Sequence, residues 1–181
     1  MNEINKDSQN FSLADGGKVL LLVRHAKSSW DDVTLPDFDR PLNNRGKKDA
    51  QKMAKRLKNK KIHIDAFISS PAKRAKKTAE FFIEEFDRNE KDIILVPALY
   101  EAAIDDFYQA IHDVDNKFIG IALFSHNPGI TAFANEIISK AGLDNMPTCS
   151  VFAIKVAINN WSEFKDATKE FWFFDYPKKD K

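Results

Sequence analysis

Val19-Leu20-Leu21-Leu22-Val23-Arg24-His25 is the stretch on which the reading of this 181-residue chain turns. Five apolar residues in succession describe a short strand covered on both faces, as the inner strands of an α/β sheet are. Such a strand ends at the rim of the sheet, where side chains meet solvent and ligands. An always-charged guanidinium and an imidazole at that rim suit holding a phosphate and attacking it. An Arg-His pair also occurs by chance in many proteins, so its meaning depends on what the rest of the chain brings to it.

Working outward, residues 1–17 are mostly polar and end in Gly16-Gly17, which predicts a flexible tail ahead of a single domain spanning 18–181. Lys27 to Asn44 holds two prolines and many Asp and Ser residues and reads as a long ordered loop, a kind usually kept for function. Ala50, Met53, Ala54 and Leu57 recur at helical spacing and predict a helix over about 44–59. Ala66-Phe67-Ile68 is a second strand. Ser70 as N-cap with Pro71 at the first helical position starts the next helix, whose buried face is Ala75, Ala79, Phe82, Ile83 and Phe86.

Ile93 to Val96 and Phe118 to Phe124 read as strands separated by a helix through Phe107, Ala110, Ile111 and Val114. A helix over about 128–140 follows. Val151 to Ile158 and Glu170 to Phe174 close the chain, and the run Phe171 to Phe174, apolar on both faces, reads as a buried strand. There is no internal repeat. Strands alternating with helices give an α/β fold on a mostly parallel sheet of about six strands.

Composition is that of a globular protein able to bury a sizeable core: 43% of residues are apolar, 30% are charged, and fifteen are Phe. Cys149 is the sole cysteine, so no intramolecular disulfide can form and a reducing compartment fits. No apolar stretch is long enough to span a membrane, and Met1 to Gln9 lack a signal-peptide core, so a cytoplasmic location is expected. The net charge of +1 conceals a basic segment from Arg45 to Lys61 with nine Lys or Arg and one Asp, followed by Lys73, Arg74, Lys76 and Lys77. These read first as solvated helix faces and second as a rim that draws in a phosphorylated partner. No aromatic residues are interleaved with them, so no nucleic-acid partner is expected, and no membrane partner either.

The chemically capable residues recur at one structural position. His25 follows the first strand, Arg74 opens the helix after the second, Glu101 lies just beyond the third, and His126 follows the fourth in Ser125-His126-Asn127-Pro128-Gly129. Ligands of open α/β sheets lie at the carboxyl ends of the strands, so these groups should converge on one rim. Helix N-termini behind Pro71 and Pro128 add donors that favour an anion. The four His lack metal-ligand spacing, and no cofactor is expected. His63 and His112 read as surface histidines without a chemical role. Asp37-Phe38-Asp39 is set aside as an aspartyl-phosphate nucleophile because no buried strand precedes it.

Arg24-His25-Ala26-Lys27-Ser28-Ser29-Trp30 resembles the opening motif of the histidine phosphatase superfamily, and most of all its SixA-type phosphohistidine phosphatases. The likeness continues through Asp39-Arg40-Pro41-Leu42-Asn43, Ser69-Ser70-Pro71-Ala72-Lys73-Arg74-Ala75, Leu99-Tyr100-Glu101 and Ser125-His126-Asn127-Pro128-Gly129, and ends near Pro147-Thr148-Cys149. It spans about residues 18–177. The resemblance implies a phosphoglycerate mutase-like, three-layer α/β/α fold.

It also implies a nucleophilic His25 that is transiently phosphorylated, and a phosphate pocket of Arg24, Arg74 and His126. Ser28 and Asn127 fall at further phosphate-side positions. Glu101 is the candidate proton donor, with Asp32, Asp37, Asp39 and Asp105 as competitors. Ala26 stands where the wider superfamily usually has Gly, and Asp31 where it often has Asn. The resemblance implies metal-independent phosphatase action through a covalent phosphohistidine, with phosphohistidine in proteins as the expected substrate. A small-molecule phosphatase or phosphomutase on the same fold is the alternative, as is a phosphate-binding module without turnover.

Overall fold

A computed structural model describes residues 17–179. Its elements run β1 Lys18–Arg24, α1 Asn44–Asn59, β2 Ala66–Ser69, α2 Lys73–Glu85, β3 Ile93–Leu95, α3 Ile104–His112, β4 Gly120–Ser125, α4 Gly129–Ile137, β5 Val151–Val156 and β6 Lys169–Asp175. Six strands form one sheet in the order β3-β2-β4-β1-β5-β6. The pairs β3–β2, β2–β4 and β4–β1 are parallel, whereas β5 runs antiparallel to both β1 and β6. The sheet is therefore mixed, and its parallel half carries the strand ends singled out above.

β1 lies between β4 and β5, and side chains alternate across a strand, so its apolar run serves two cores. Leu21 and Val23 pack with Met53, Leu57, Phe82 and Ile83 of α1 and α2. Leu20 and Leu22 pack on the opposite face with Phe107, Ile111, Ile130 and Phe133 of α3 and α4, where Trp161 and Phe164 extend the cluster. The result is three layers, helices on each side of the sheet. Among the described residues no helix is long and apolar enough to cross a membrane.

Most element boundaries fall within two residues of expectation, and the exceptions have local causes. α1 begins at Asn44 because the Asn43 side chain accepts the Gly46 N–H at 2.8 Å, closing the first turn. α2 begins at Lys73, not at Pro71: Ser70 caps nothing inside a helix but turns the chain by accepting the Ala72 N–H at 3.3 Å. α4 stops at Ile137, since Ile138 is already extended at φ −132°. The run Phe171 to Phe174 is only half-buried, because β6 is the outermost strand beside β5. The expected tail falls on residues outside those described, apart from Gly17, which is buried.

Gly46 is fixed by a close approach. A Cβ built there would lie 2.1 Å from the Lys27 carbonyl oxygen, so the first turn of α1 rests directly on the backbone leaving β1. The loop between them is thereby held against the carboxyl end of the sheet. Its two ends are tied to each other by a bridge between Ser28 and Leu42 and by the Ser29 N–H donating to the Pro41 carbonyl at 2.8 Å.

Candidate active site

The site is assembled by register. Arg24 of β1 pairs with Ser125 of β4, and Ser69 of β2 pairs with Phe124 of β4, so His25, His126 and Ser70 each stand one residue past neighbouring strand ends. The rings of His25 and His126 consequently lie 5.0 Å apart between centroids. Both residues are more than nine-tenths buried.

His25 is held as a nucleophile would be. Its Nδ1 lies 2.7 Å from the Ala26 carbonyl oxygen, an acceptor, so Nδ1 carries the proton. Nε2 is then a bare lone pair, and it accepts from the Arg74 Nε–H at 3.3 Å. Burial lowers the His25 pKa to about 4, with Arg74 and Arg24 pressing it down further against the opposing pull of the Ala26 hydrogen bond. His126 is lowered to about 3 by burial first, then by His25 and Arg74. Both rings are neutral at pH 7. His126 Nε2 lies 2.8 Å from the Ser70 hydroxyl, while its buried Nδ1 has no hydrogen-bond partner among the described residues.

Two guanidiniums act on His25. Arg24 donates from Nη1 to the Met146 carbonyl at 2.5 Å and to Asn145 Oδ1 at 3.2 Å, and its Nε is buried without a partner among the described residues. Arg74 donates from Nη2 to Asp37 Oδ2 at 2.8 Å and from Nη1 to the Asp37 carbonyl. The cleft in front of Arg74 and His126 has a volume of about 850 Å³ and is walled by Asp37, Tyr100, Glu101 and Asn127 among others. A strand-end histidine with an unprotonated Nε2 facing Arg74, two arginines and a second neutral histidine thus meet on one rim, as the sequence motifs implied.

The profile of the histidine phosphatase superfamily, branch 1, matches residues 20–118. This chain belongs to the histidine phosphatase superfamily. An uncharacterised chloroplastic protein of Arabidopsis thaliana is 32% identical over 152 residues, covering 80% of this chain and 69% of that protein. The 2,3-bisphosphoglycerate-dependent phosphoglycerate mutase of Bartonella henselae is 31% identical over 91 residues, only 49% of this chain and 44% of the mutase. Among solved structures, the protein histidine phosphatase SixA in complex with tungstate superposes with a TM-score of 0.74 at 19% identity, over 88% of this chain and 97% of that one. The fold of this histidine phosphatase is thus the SixA, phosphoglycerate mutase-like one.

The remaining expected residues divide. Glu101 lines the cleft, but it is exposed, makes no hydrogen bond among the described residues, and sits at a left-handed φ of +53°. Asn127 lines the cleft with its amide engaged by protein: its Nδ2 donates to the Met146 carbonyl at 3.3 Å and to Asn145 Oδ1, and its Oδ1 accepts from Thr131 at 2.7 Å. Ser28 is buried, and its hydroxyl accepts from Arg40 Nη2 at 2.7 Å. Asp31 lines a separate hollow of about 430 Å³ with Asp32, Pro41 and Arg45. Ala26 is fully buried and its N–H donates to Thr78 Oγ1 at 3.0 Å. His63 and His112 are exposed beside Asp65 and Asp113, in keeping with surface roles.

Two participants escape a reading of the sequence. Arg40 was legible only as part of a motif. In the structure it is buried, donates to the Ser29 carbonyl at 3.1 Å, to Ser28 and to Asp37 Oδ1 at 2.9 Å, and stacks 3.3 Å over the Trp30 ring. Asp37 stood among the possible acids and in a nucleophile motif that was set aside. It accepts from Arg40, Arg74 and the Tyr100 hydroxyl, the last at 3.0 Å, and so joins the loop to both sides of the cleft. Burial pushes its carboxyl up, but Arg74, Tyr100 and Arg40 outweigh burial and hold it below the usual range. Cys149, at φ +61°, contributes backbone alone, its N–H reaching the Arg24 and His25 carbonyls at 3.1 Å each.

Proposed function

We propose that this chain is a phosphatase that works through a covalent phosphohistidine on His25, with phosphohistidine in proteins as substrate. The observation that carries the reading is the His25 ring itself, neutral, with Nδ1–H fixed on Ala26 and Nε2 directed at Arg74. In the first half-reaction Nε2 attacks phosphorus in line with the leaving group. Phosphoryl transfer passes through a loose transition state with charge on three equatorial oxygens, so placement and donors matter most. Arg24 Nε, Arg74 and His126 are the donors at hand, and the unpartnered buried Nε and Nδ1 are the capacity an anion would satisfy.

Water then attacks phospho-His25, and release of phosphate restores the ring. Glu101 in the cleft wall is the group that could give a proton to an alcohol leaving group and take one from that water. Ser28 and Asn127 act through neighbours: Ser28 by seating Arg40, Asn127 by sharing the Asn145–Met146 platform with Arg24. The steps use the chain's own groups and no metal. Residues 18–181 would form a single catalytic domain of a cytoplasmic protein.

A mutase reading draws on the phosphoglycerate mutase match, which is confined to half of this chain. His25→Ala decides whether the covalent route exists. It should abolish turnover of an aryl phosphate and of phosphohistidine protein, and labelling of the enzyme by radioactive substrate; retained turnover would sink the proposal. Transfer of label to 3-phosphoglycerate instead of water would favour the mutase.

A further inference from the structure

Beyond the phosphate end, the cleft changes sign. Three guanidiniums (Arg24, Arg40 and Arg74) and the Asp37 carboxylate leave that end with a modest positive excess, suited to a phosphoryl dianion. Beyond Arg74 and Asp37 the charged residues lining the cleft are Glu101 and Asp105, both carboxylates, and the lining adds no further Arg or Lys. Lys165 reaches Asp105 Oδ1 at 3.5 Å from outside the lining. Asp37 stands at the junction. It is half-exposed, its Oδ2 is 2.8 Å from Arg74 Nη2, and three donors hold it ionised. The same cleft contains the buried His126, whose Nδ1 has no partner among the described residues.

We propose that Asp37 selects the leaving group, accepting an N–H from a cationic one and repelling an anionic one. The proposal rests on His25 as nucleophile and adds a specificity residue to it. An ionised carboxylate in this position is a poor proton donor for an alcohol, yet it suits a phosphoimidazolium. There the P–N bond breaks with its electron pair left on the departing nitrogen, while phosphorus bonds to His25 Nε2. The imidazole leaves neutral because its proton sits on the other nitrogen, the N–H that Asp37 accepts. A leaving group bearing a carboxylate or second phosphate meets Asp37, Glu101 and Asp105 with no spare cation in the wall.

The test uses the full chain and three aryl phosphates differing in one para group: aminomethyl (cation), methyl (neutral) and carboxylate (anion). Wild type should rank them cation, neutral, anion, with about three- to tenfold in kcat/KM across the series, as a half-exposed charge pair allows. Asp37→Asn, which keeps the shape and loses the charge, should compress that span toward one and lower turnover of N-phosphoimidazole more than that of the methyl compound. Tyr100→Phe, which keeps the carboxylate, should preserve the ranking. An unchanged ranking in Asp37→Asn, or an equal fall on every substrate, overturns the proposal. Activity on all substrates that survives in His25→Ala overturns the parent reading instead.

Discussion

His25 and His126 stand with ring centroids 5.0 Å apart, each neutral because burial and neighbouring arginines penalise its charged form. This has a cost in acid. A histidine titrates near 6.5 in the unfolded chain, but these two do so at about 4 and about 3 in the fold. Between those values the unfolded chain binds more protons, so stability is full above about pH 6.5 and declines as pH falls towards the folded values. At pH 5 each ring should cost on the order of 2 kcal/mol relative to neutral pH. Urea midpoints measured from pH 7 to 5 should therefore fall, and should fall less in His25→Asn/His126→Asn; parallel slopes in both proteins would refute the assignment. Over the same range His25 stays unprotonated, so if it is the nucleophile proposed above, turnover of the folded protein should hold down to about pH 5. Arg24, His25, Arg74 and His126 were legible in the sequence because each follows a recognisable strand or starts a helix. Arg40 and Asp37 were not, because their partners are set by how a loop folds back, which no periodicity records.

At the scale of elements, α1 was legible from the apolar spacing of Ala50, Met53, Ala54 and Leu57, and the structure adds the Asn43 cap that fixes its start. α2 was misplaced at its start because Ser-Pro signals a turn as readily as a helix, and here Ser70 spends its hydroxyl on Ala72 and His126. The aromatic run of β6 was read as buried because hydrophobicity cannot tell an edge strand from an inner one; position in the sheet decides that. The loop between β1 and α1 hangs on Arg40, whose guanidinium meets Ser28, Ser29, Asp37 and the Trp30 ring. Arg40→Ala should free it at a local cost of about 2 kcal/mol or more. Chymotrypsin should then cut after Trp30 and Phe38, both already exposed, at least about tenfold faster than in wild type. Equal rates of nicking would show that Gly46 and the Ser28–Leu42 bridge suffice without it.

At the scale of the molecule, the last strand is fastened back onto the first helix. Asp175 of β6 is 2% exposed and meets Arg56 Nη1 at 2.6 Å and Lys60 Nζ at 3.0 Å. Burial pushes its carboxyl up, but the two cations hold it below the usual range. Asp175→Ala should cost about 2–4 kcal/mol, less than a fully buried pair because Lys60 is partly solvated, read as a lower urea midpoint at unchanged slope. A shift below about 0.5 kcal/mol would mean that the ladder to β5 and the apolar contacts hold the strand without this ion pair. The sheet order also sets a timetable for the growing chain. β1 is the first described strand to leave the ribosome, yet both of its partners, β4 and β5, come after Gly120. At ordinary rates of synthesis the run from Leu20 to Val23 waits on the order of 5–20 s for its first neighbour. The strand that leads into His25 is thus the earliest made of those described and among the latest enclosed, and until β4 emerges the newborn chain exposes this apolar run.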